Sequence, residues 1–326
     1  MSRKSNPGRL LTTTIVAAAI AAGVATLALT AAPVLAATPA LAERTVQTHS
    51  TTVDGLKVFY REAGNRKAPV IVLLHGFPSS SHMYRDLIPL LADRYHVIAP
   101  DYIGFGYSAA PAATEYHYTF DKLAQSVQGL LDQLGVRDAV YYMQDYGGPV
   151  GMRLVTAHPE RVKGLVIQNS NAYMVGVGQP LIDGFLPLWK ERNAATEGAA
   201  RGFLKAETTQ FQYTHGARNP AALNPDAWTL DQALLDRPGN DAIQLDLFVD
   251  YQHNVALYDG WHAYFRQQQP KTLIFWGKGD PLFVVAGAQA YLQDLPKAKL
   301  VLLDGGQFAL EEHAAHVATL IKKNFR

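Results

Sequence analysis

The most informative stretch of the sequence is a largely apolar run, 140–144, that ends at a single carboxylate, Asp145. Paired glycines, Gly147 and Gly148, follow, and the apolar spacing after them is helical. Such a run without alternation is typical of a parallel strand that is buried on both faces. The pattern predicts a sharp strand-to-helix turn that presents Asp145 above a sheet, where a carboxylate can act as a nucleophile. Alternatively, Asp145 only caps the following helix.

Two further loops follow predicted strands. His75-Gly-Phe-Pro78 comes directly after the apolar strand 70–74, and a loop at the carboxyl end of a parallel strand is where such sheets bind ligands. His75 itself is interpreted as a structural loop residue rather than a base. The glycine-containing segment 100–108 follows strand 97–99 and indicates a tight loop whose shape is set by the backbone.

The elements that must position these residues alternate between strand and helix along most of the chain. This alternation predicts right-handed crossovers and a mostly parallel sheet with helices on both faces. Alternating polar and apolar residues around Asp54-Gly55, within 44–61, predict an edge hairpin. The predicted parallel strands are 70–74, 97–99, 140–144, 162–168, 272–276 and 299–303. The predicted helices are 83–91, 119–134, the segment after Gly148, 284–292 and the segment from about 309.

One long segment, 169–269, breaks this rhythm. It has no clear buried-strand run, it is rich in Trp, Tyr and Phe, and it has helical periodicity. A structureless loop of that length is uncommon inside a compact domain. The sequence therefore predicts an inserted helical cap at 169–269, with the core formed by 43–168 and 270–326.

Residues 1–42 have the features of a signal peptide. Basic residues near the start precede an Ala-rich apolar stretch, 10–32, and Ala40-Leu41-Ala42 fits a small-residue cleavage site. The alternative is an uncleaved membrane anchor, but a stretch that is rich in alanine and broken by threonines has weak transfer energy. We therefore expect export to the periplasm or the extracellular space, a mature chain that begins near Glu43, and no stable membrane anchor after processing.

Composition restricts the function further. With 326 residues, 48% hydrophobic and 17% charged, the chain can bury a large core. The net charge is +1 and no basic run is interleaved with aromatic residues, so nucleic acid is not an expected partner. The absence of cysteine excludes disulfides, thiolate metal sites and a cysteine nucleophile. We expect no metal and no cofactor, and the sequence does not indicate the oligomeric state.

Five motifs carry a family resemblance in this order along the chain: His75-Gly-Phe-Pro78, Asp101-Tyr-Ile-Gly-Phe-Gly-Tyr-Ser108, Gln144-Asp-Tyr-Gly-Gly148, Trp276-Gly-Lys-Gly-Asp280 and Asp304-Gly-Gly-Gln-Phe-Ala-Leu310. Together they resemble the α/β-hydrolase superfamily, and they cover nearly all of the predicted mature chain. The elbow of that fold usually reads G-x-S-x-G. The aspartate at the serine position is similar to epoxide hydrolases and haloalkane dehalogenases, and it disfavours a serine esterase.

The resemblance implies roles for several residues. Asp145 would attack an electrophilic carbon to form an alkyl-enzyme ester, and the backbone N–H groups of Phe77 and Tyr146 would form the oxyanion hole. Asp280 matches the acid that orients a catalytic histidine, although an ordinary Asp-Pro turn is the alternative.

The chain departs from the family at the last catalytic position, where Gln307 stands in place of the usual histidine. Glutamine cannot accept a proton near neutral pH, so we expect impaired hydrolysis of the ester. His313 and His316 follow in the predicted terminal helix, but a rise of about 1.5 Å per residue leaves His313 too distant to replace the missing base.

The implied substrate is a small apolar electrophile. An epoxide is the first expectation, with Tyr213 and Tyr258 in the cap as candidate donors to its oxygen; each is otherwise a packed core tyrosine. A haloalkane is the near alternative, but Tyr146 stands where a halide-binding Trp is common and N–H donors for a halide are not evident. A non-catalytic binding protein is an alternative of another class, and Gln307 favours it.

Overall fold

The computed structural model describes residues 44–325 as an eight-stranded sheet in the order β1-β2-β4-β3-β5-β6-β7-β8. The predicted signal peptide lies outside the described residues. The strands are β1 (Gln47–Val53), β2 (Leu56–Ala63), β3 (Val70–Leu74), β4 (His96–Pro100), β5 (Ala139–Gln144), β6 (Val162–Gln168), β7 (Thr272–Gly277) and β8 (Lys299–Leu303). The helices are α1 (Ile88–Leu91), α2 (Phe120–Gln133), α3 (Gly147–Ala157), α4 (Gln179–Lys190), α5 (Ala194–Ala200), α6 (Ala206–Thr214), α7 (Asp226–Leu235), α8 (Asn240–Ala256), α9 (Tyr258–Gln268), α10 (Val285–Asp294) and α11 (Leu310–Asn324).

The predicted edge hairpin is confirmed. Strands β1 and β2 pair antiparallel, and Val53 faces Leu56 across a two-residue turn. Asp54 and Gly55 both have positive φ, at 48° and 80°, as the turn that best matches strand twist requires. β2 then pairs antiparallel with β4, and β3 to β8 are parallel to one another.

The parallel strands are buried on both faces, because successive side chains point to opposite sides of the sheet. In β3, Val72 and Leu74 pack into the cluster that contains the apolar stripe of α2, whereas Ile71 and Leu73 pack into the cluster that contains α11. Each such fully buried aliphatic side chain contributes about 1.5–3 kcal/mol. This two-sided burial explains why helices cover both faces.

The predicted helix over 83–91 is wrong as one continuous element. The structure has a 3₁₀ turn at Ser81–Tyr84, and then the short helix α1. Pro89 lies in the first turn of α1, where its missing N–H removes no intrahelical hydrogen bond. One continuous helix over 83–91 would place Pro89 in its interior, where the ring clashes with the preceding turn.

Residues 169–269, expected to form a cap, contain the six helices α4 to α9 and contribute no strand to the sheet. Within residues 44–325, no helix is both long enough and apolar enough to cross a membrane.

Candidate active site

The turn at Asp145 is the most constrained backbone in the site. Asp145 has φ 50°, a left-handed conformation that costs a non-glycine residue roughly 1–3 kcal/mol. Its backbone is held on both sides: its N–H donates to the Asn169 carbonyl at 3.2 Å, and its own carbonyl accepts from Ser170 Oγ at 2.8 Å. Gly76 allows the neighbouring loop to approach, because a Cβ there would lie 2.2 Å from the Asp145 Cβ.

The Asp145 carboxylate is clamped by three donors. Its Oδ1 accepts the backbone N–H groups of Phe77 at 2.7 Å and Tyr146 at 2.6 Å, and its Oδ2 accepts Gln307 Nε2 at 3.1 Å. Neither contact to Oδ1 comes from the first turn of α3, whose N-terminal end has no side-chain cap. Asp145 therefore does not act as the helix cap considered above. Its Oδ1 is held by two backbone N–H groups, whereas its Oδ2 has one side-chain donor.

Burial opposes ionisation of this carboxyl group. Loss of hydration raises the pKa of Asp145 to about 7, although the hydrogen bonds from Phe77, Tyr146 and Gln307 act in the opposite direction. The Asp145 carboxyl group is therefore only partly ionised near neutral pH, and any reaction of its ionised form depends on pH there.

Asp280 follows β7, and its carboxylate accepts three hydrogen bonds. Its Oδ2 accepts Asn169 Nδ2 at 2.7 Å, and its Oδ1 accepts the backbone N–H groups of Leu282 at 2.8 Å and Phe283 at 3.1 Å. Burial raises the pKa of Asp280 to about 7, and the bonds from Asn169, Leu282 and Phe283 offset part of that shift. No hydrogen bond joins Asp280 to Gln307 among residues 44–325.

Asn169 holds the two acidic loops together and was not predicted. Directly after β6, it has φ 39°, and its side chain also accepts the Gly277 N–H at 2.9 Å. An asparagine at the carboxyl end of a buried parallel strand is the sequence signal that could have identified it.

Gln307 is fully buried, and its amide has one partner in the site, Asp145. The amide oxygen Oε1 has no hydrogen-bond partner within the described chain. His313 does not replace it: its Nε2 lies 3.1 Å from the Asp304 carbonyl oxygen.

His75 has a structural environment. Its Nε2 accepts the Tyr102 N–H at 3.3 Å, its Nδ1 lies 3.0 Å from the Gly76 carbonyl, and its ring stacks on Tyr102 at 4.1 Å. Burial lowers the pKa of His75 to about 4, so the ring is neutral at pH 7 and orders the loop that carries Phe77.

A narrow apolar cavity covers Asp145. The cavity volume is about 20 Å³, which is room for about one water molecule. Its walls come from the loop after β3, the turn at Asp145, the loop after β7 and the helical segment 169–269: Phe77, Tyr146, Leu181, Phe185, Phe203, Gln212, Phe248, Tyr251, Leu282 and Phe283. Most of the lining side chains are apolar, and a volume of this size excludes bulk water.

The two predicted cap tyrosines are not among the lining residues. The Tyr213 hydroxyl donates to Asp231 Oδ2 at 2.6 Å, and its ring stacks on Phe308 with 3.8 Å between ring centroids. The ring of Tyr258 packs against Trp261 with 5.2 Å between centroids. Two other residues of the segment 169–269, Gln212 and Tyr251, line the cavity instead.

Two buried donors in the cavity wall lack a protein partner. Gln212 Nε2 and the Tyr146 hydroxyl are both buried and make no hydrogen bond within residues 44–325. An unpaired buried polar group costs about 1–3 kcal/mol, so both would gain from an acceptor atom on a bound molecule. The sequence did not reveal these two unpaired donors. Among the same residues, no group of three or more His, Cys, Asp or Glu side chains is arranged to hold a metal.

The sheet order, the elbow and the carboxylate in its backbone cradle define a class of fold. The family pattern described as the alpha/beta hydrolase fold matches residues 69–314, and the chain belongs to this family.

Several known proteins are similar to the chain. An uncharacterized hydrolase of Saccharomyces cerevisiae is 42% identical over 275 residues, which are 83% of this chain and 94% of the relative. The cis-3-alkyl-4-alkyloxetan-2-one decarboxylase of Shewanella oneidensis is 30% identical over 287 residues, 84% and 86% of the two chains. A haloalkane dehalogenase of Psychrobacter cryohalolentis is 43% identical over 107 residues, 32% of this chain and 35% of the relative.

A solved structure gives the same fold. Haloalkane dehalogenase DbeA from Bradyrhizobium elkani superposes with a TM-score of 0.67 at 24% identity, covering 86% of this chain and 98% of that one. At this level of identity the match defines the architecture alone.

Proposed function

We propose that this α/β-hydrolase-fold protein is an enzyme of epoxide-hydrolase type that acts through an alkyl ester on Asp145. The observation that carries the proposal is that the two oxygens of the Asp145 carboxylate have different hydrogen-bond donors. Two backbone N–H groups hold Oδ1, Oδ2 accepts only Gln307 Nε2, and Asp145 lines an apolar cavity. A carboxylate placed in this way is suited to displacement at an sp³ carbon, since its ionised form has no proton to lose.

In the first half-reaction, Asp145 Oδ2 forms a bond to one epoxide carbon while the bond from that carbon to oxygen breaks. The electron pair stays on the departing oxygen, which then takes a proton. Tyr146 and Tyr251 line the cavity and carry hydroxyl groups that can supply one, and Gln212 can donate a hydrogen bond. For a haloalkane, the same amide N–H would solvate the departing halide without transferring a proton.

The second half-reaction is where Gln307 matters. Hydrolysis of the ester needs a water molecule that attacks the Asp145 carbonyl carbon, with the oxyanion on Oδ1 held by Phe77 and Tyr146. An amide cannot take the proton from that water, so general-base catalysis of about 10²–10⁴-fold is lost. We infer that the ester accumulates on epoxides and haloalkanes.

A second candidate reaction is favoured by the same residue, because it consumes no water. The Shewanella oneidensis relative is named as a decarboxylase of an oxetan-2-one, a strained four-membered lactone. Attack of Asp145 on ring carbon 4 would break the bond to the ring oxygen and leave an ester and a free carboxylate. Loss of carbon dioxide would then form a double bond between carbons 3 and 4 and release Asp145. Neither step transfers a proton, so this reaction would not need a histidine at position 307.

The test is covalent labelling followed by product analysis. The protein is incubated with a small epoxide, a haloalkane or a cis-dialkyl oxetan-2-one, and examined by intact-protein mass spectrometry and peptide mapping. We expect one adduct on Asp145 with the first two reagents, and none in Asp145→Asn examined promptly. Asp231→Asn is the matched control, because this cap aspartate is equally buried but does not line the cavity.

The products distinguish the candidate functions from one another. Diol or halide released over many turnovers without an adduct would reject the impaired second step, and alkene with carbon dioxide from the lactone would favour the second candidate. Stoichiometric binding with neither adduct nor product would identify a binding protein. Labelling that survives in Asp145→Asn would remove the nucleophile assignment.

We also propose that the protein is exported and that its mature chain begins near Glu43, on the strength of the Ala40-Leu41-Ala42 pattern. Sequencing the amino terminus of the released protein tests this. A released chain that still contains residues 10–32 would contradict cleavage at this site.

A further inference from the structure

Basic side chains are concentrated at the amino ends of the parallel strands. Three neighbouring depressions share Pro69 and Lys271 and so form one continuous surface. Their basic residues, which we call the cationic face, are Arg66, Lys67, Arg94, Arg137, Lys163, Lys271, Lys297, Lys322 and Lys323. Asp145 follows the carboxyl end of β5, so the cationic face lies at the opposite edge of the sheet from the candidate active site.

The charge of this face contrasts with the rest of the chain. Residues 44–325 contain 25 Lys and Arg against 27 Asp and Glu, a net charge of −2. The cationic face has nine basic residues and three nearby carboxylates, Glu62, Asp93 and Asp138. The remaining 16 basic and 24 acidic residues are therefore net negative. Such segregation creates a field that orients the molecule toward an anionic surface.

Internal ion pairs account for only part of this charge. Arg66 pairs with Glu62 at 2.8 Å, Lys163 with Asp138 at 3.3 Å, and Lys322 with Asp93 at 2.7 Å. The other six have no carboxylate of the described chain within ion-pair distance: Lys67, Arg94, Arg137, Lys271, Lys297 and Lys323. All six side chains are exposed.

The helix dipole gives a structural explanation for some of these positions, because cations are favoured close to helix C-termini. Lys322 and Lys323 lie in the last turn of α11. The preference falls off within one turn, however, and Lys67 follows a strand while Lys163 lies within one. The helix dipole therefore does not explain the whole face.

We propose that the cationic face docks on the anionic headgroups of a phospholipid bilayer, with the cap directed away from it. The unpaired cations extend over three depressions and the starts of several strands, which matches a plane of charge better than a single small anion.

The experiment compares binding of the full chain to two kinds of vesicle, one of phosphatidylcholine alone and one that also contains phosphatidylglycerol. Cosedimentation should show binding to the anionic vesicles that weakens as salt is added, because exposed charges are screened. Each Lys or Arg near such a surface strengthens binding about fivefold. The triple variant Lys67→Gln, Arg137→Gln and Lys271→Gln should therefore bind about 100-fold more weakly.

A matched control separates local charge from net charge. Lys57→Gln, Lys190→Gln and Lys205→Gln remove the same number of exposed positive charges, one at the carboxyl edge of the sheet and two in the segment 169–269. This control should keep its vesicle binding. Both triple variants should retain the unfolding temperature of the parent, which shows that they fold.

Three results would overturn the proposal. They are equal binding to both vesicle compositions, an equal loss in the two triple variants, and binding of soluble polyglutamate as tight as that of anionic vesicles. The last result would assign the face to an acidic protein instead.

Discussion

Replacing Asp145 by asparagine should stabilise the folded chain, and the gain should depend on pH. Burial raises the pKa of Asp145 from 3.8 to about 7, and each tenfold change in proton affinity corresponds to about 1.4 kcal/mol. Between these values the folded state binds more protons than the unfolded state, so the free energy of unfolding falls as pH rises. The full cost, about 4 kcal/mol, is present above pH 7 and absent well below pH 4.

The asparagine side chain fits the same contacts. Its amide oxygen can accept the N–H groups of Phe77 and Tyr146, as Oδ1 does now. Its amide nitrogen needs an acceptor, and a half-turn of the Gln307 amide brings the unpartnered Oε1 into place. The variant therefore loses the buried charge without leaving a new unpaired group.

Urea unfolding at about pH 4.5 and about pH 8.5 measures the effect. The stability advantage of Asp145→Asn over the parent should grow by about 3 kcal/mol between these pH values. Asp280 has a similarly raised pKa in both proteins, and the Asp145 charge is the smallest cause of that shift, so most of its contribution cancels. An advantage of equal size at both pH values, or a variant that is less stable at pH 8.5, would refute the reasoning.

Three other predictions concern the same site. Gln307→His should raise turnover of epoxides that label the parent by about 10²–10⁴-fold in steady-state assays, whereas Gln307→Leu should not. The rate of labelling at Asp145, followed by mass spectrometry, should rise with pH to a plateau with its midpoint at about 7, because only the ionised carboxylate attacks; a flat profile would contradict the raised pKa. Gly76→Ala should abolish labelling, since its Cβ would lie 2.2 Å from that of Asp145. The control is Gly198→Ala in α5, where an added Cβ meets nothing within 4 Å. It should leave labelling unchanged and stabilise the chain by about 0.5–1 kcal/mol.

The sheet was predictable because its signals are local. Asp54-Gly55 encodes its own turn, and β5 is an uninterrupted run with a glycine pair after it, so pairing and burial follow from the pattern. The helix predicted over 83–91 failed because apolar spacing was given more weight than Pro89, whose ring restricts the preceding turn. Local stereochemistry prevailed over periodicity there.

The cap was predictable as helical but not in its orientation. In α6, Phe211 is 42% exposed, whereas the adjacent Gln212 is 4% exposed and lines the cavity. Hydrophobicity therefore identifies the wrong face of this helix, and only packing against the elbow reveals the donor. The same limitation led to Tyr213 and Tyr258 rather than Tyr251, because aromatic residues look alike in sequence whether they pack against the core or the cavity.

Gln307 lies beside an otherwise intact set of groups, and the genetic code gives this a consequence. Glutamine is encoded by CAA and CAG, and histidine by CAC and CAT, so a single change in the third base of the codon exchanges them. Asp145, its backbone cradle and Asp280 already occupy their positions in the folded chain. A population exposed to a toxic electrophile could therefore recover a water-activating base by one point mutation, without passing through a misfolded intermediate.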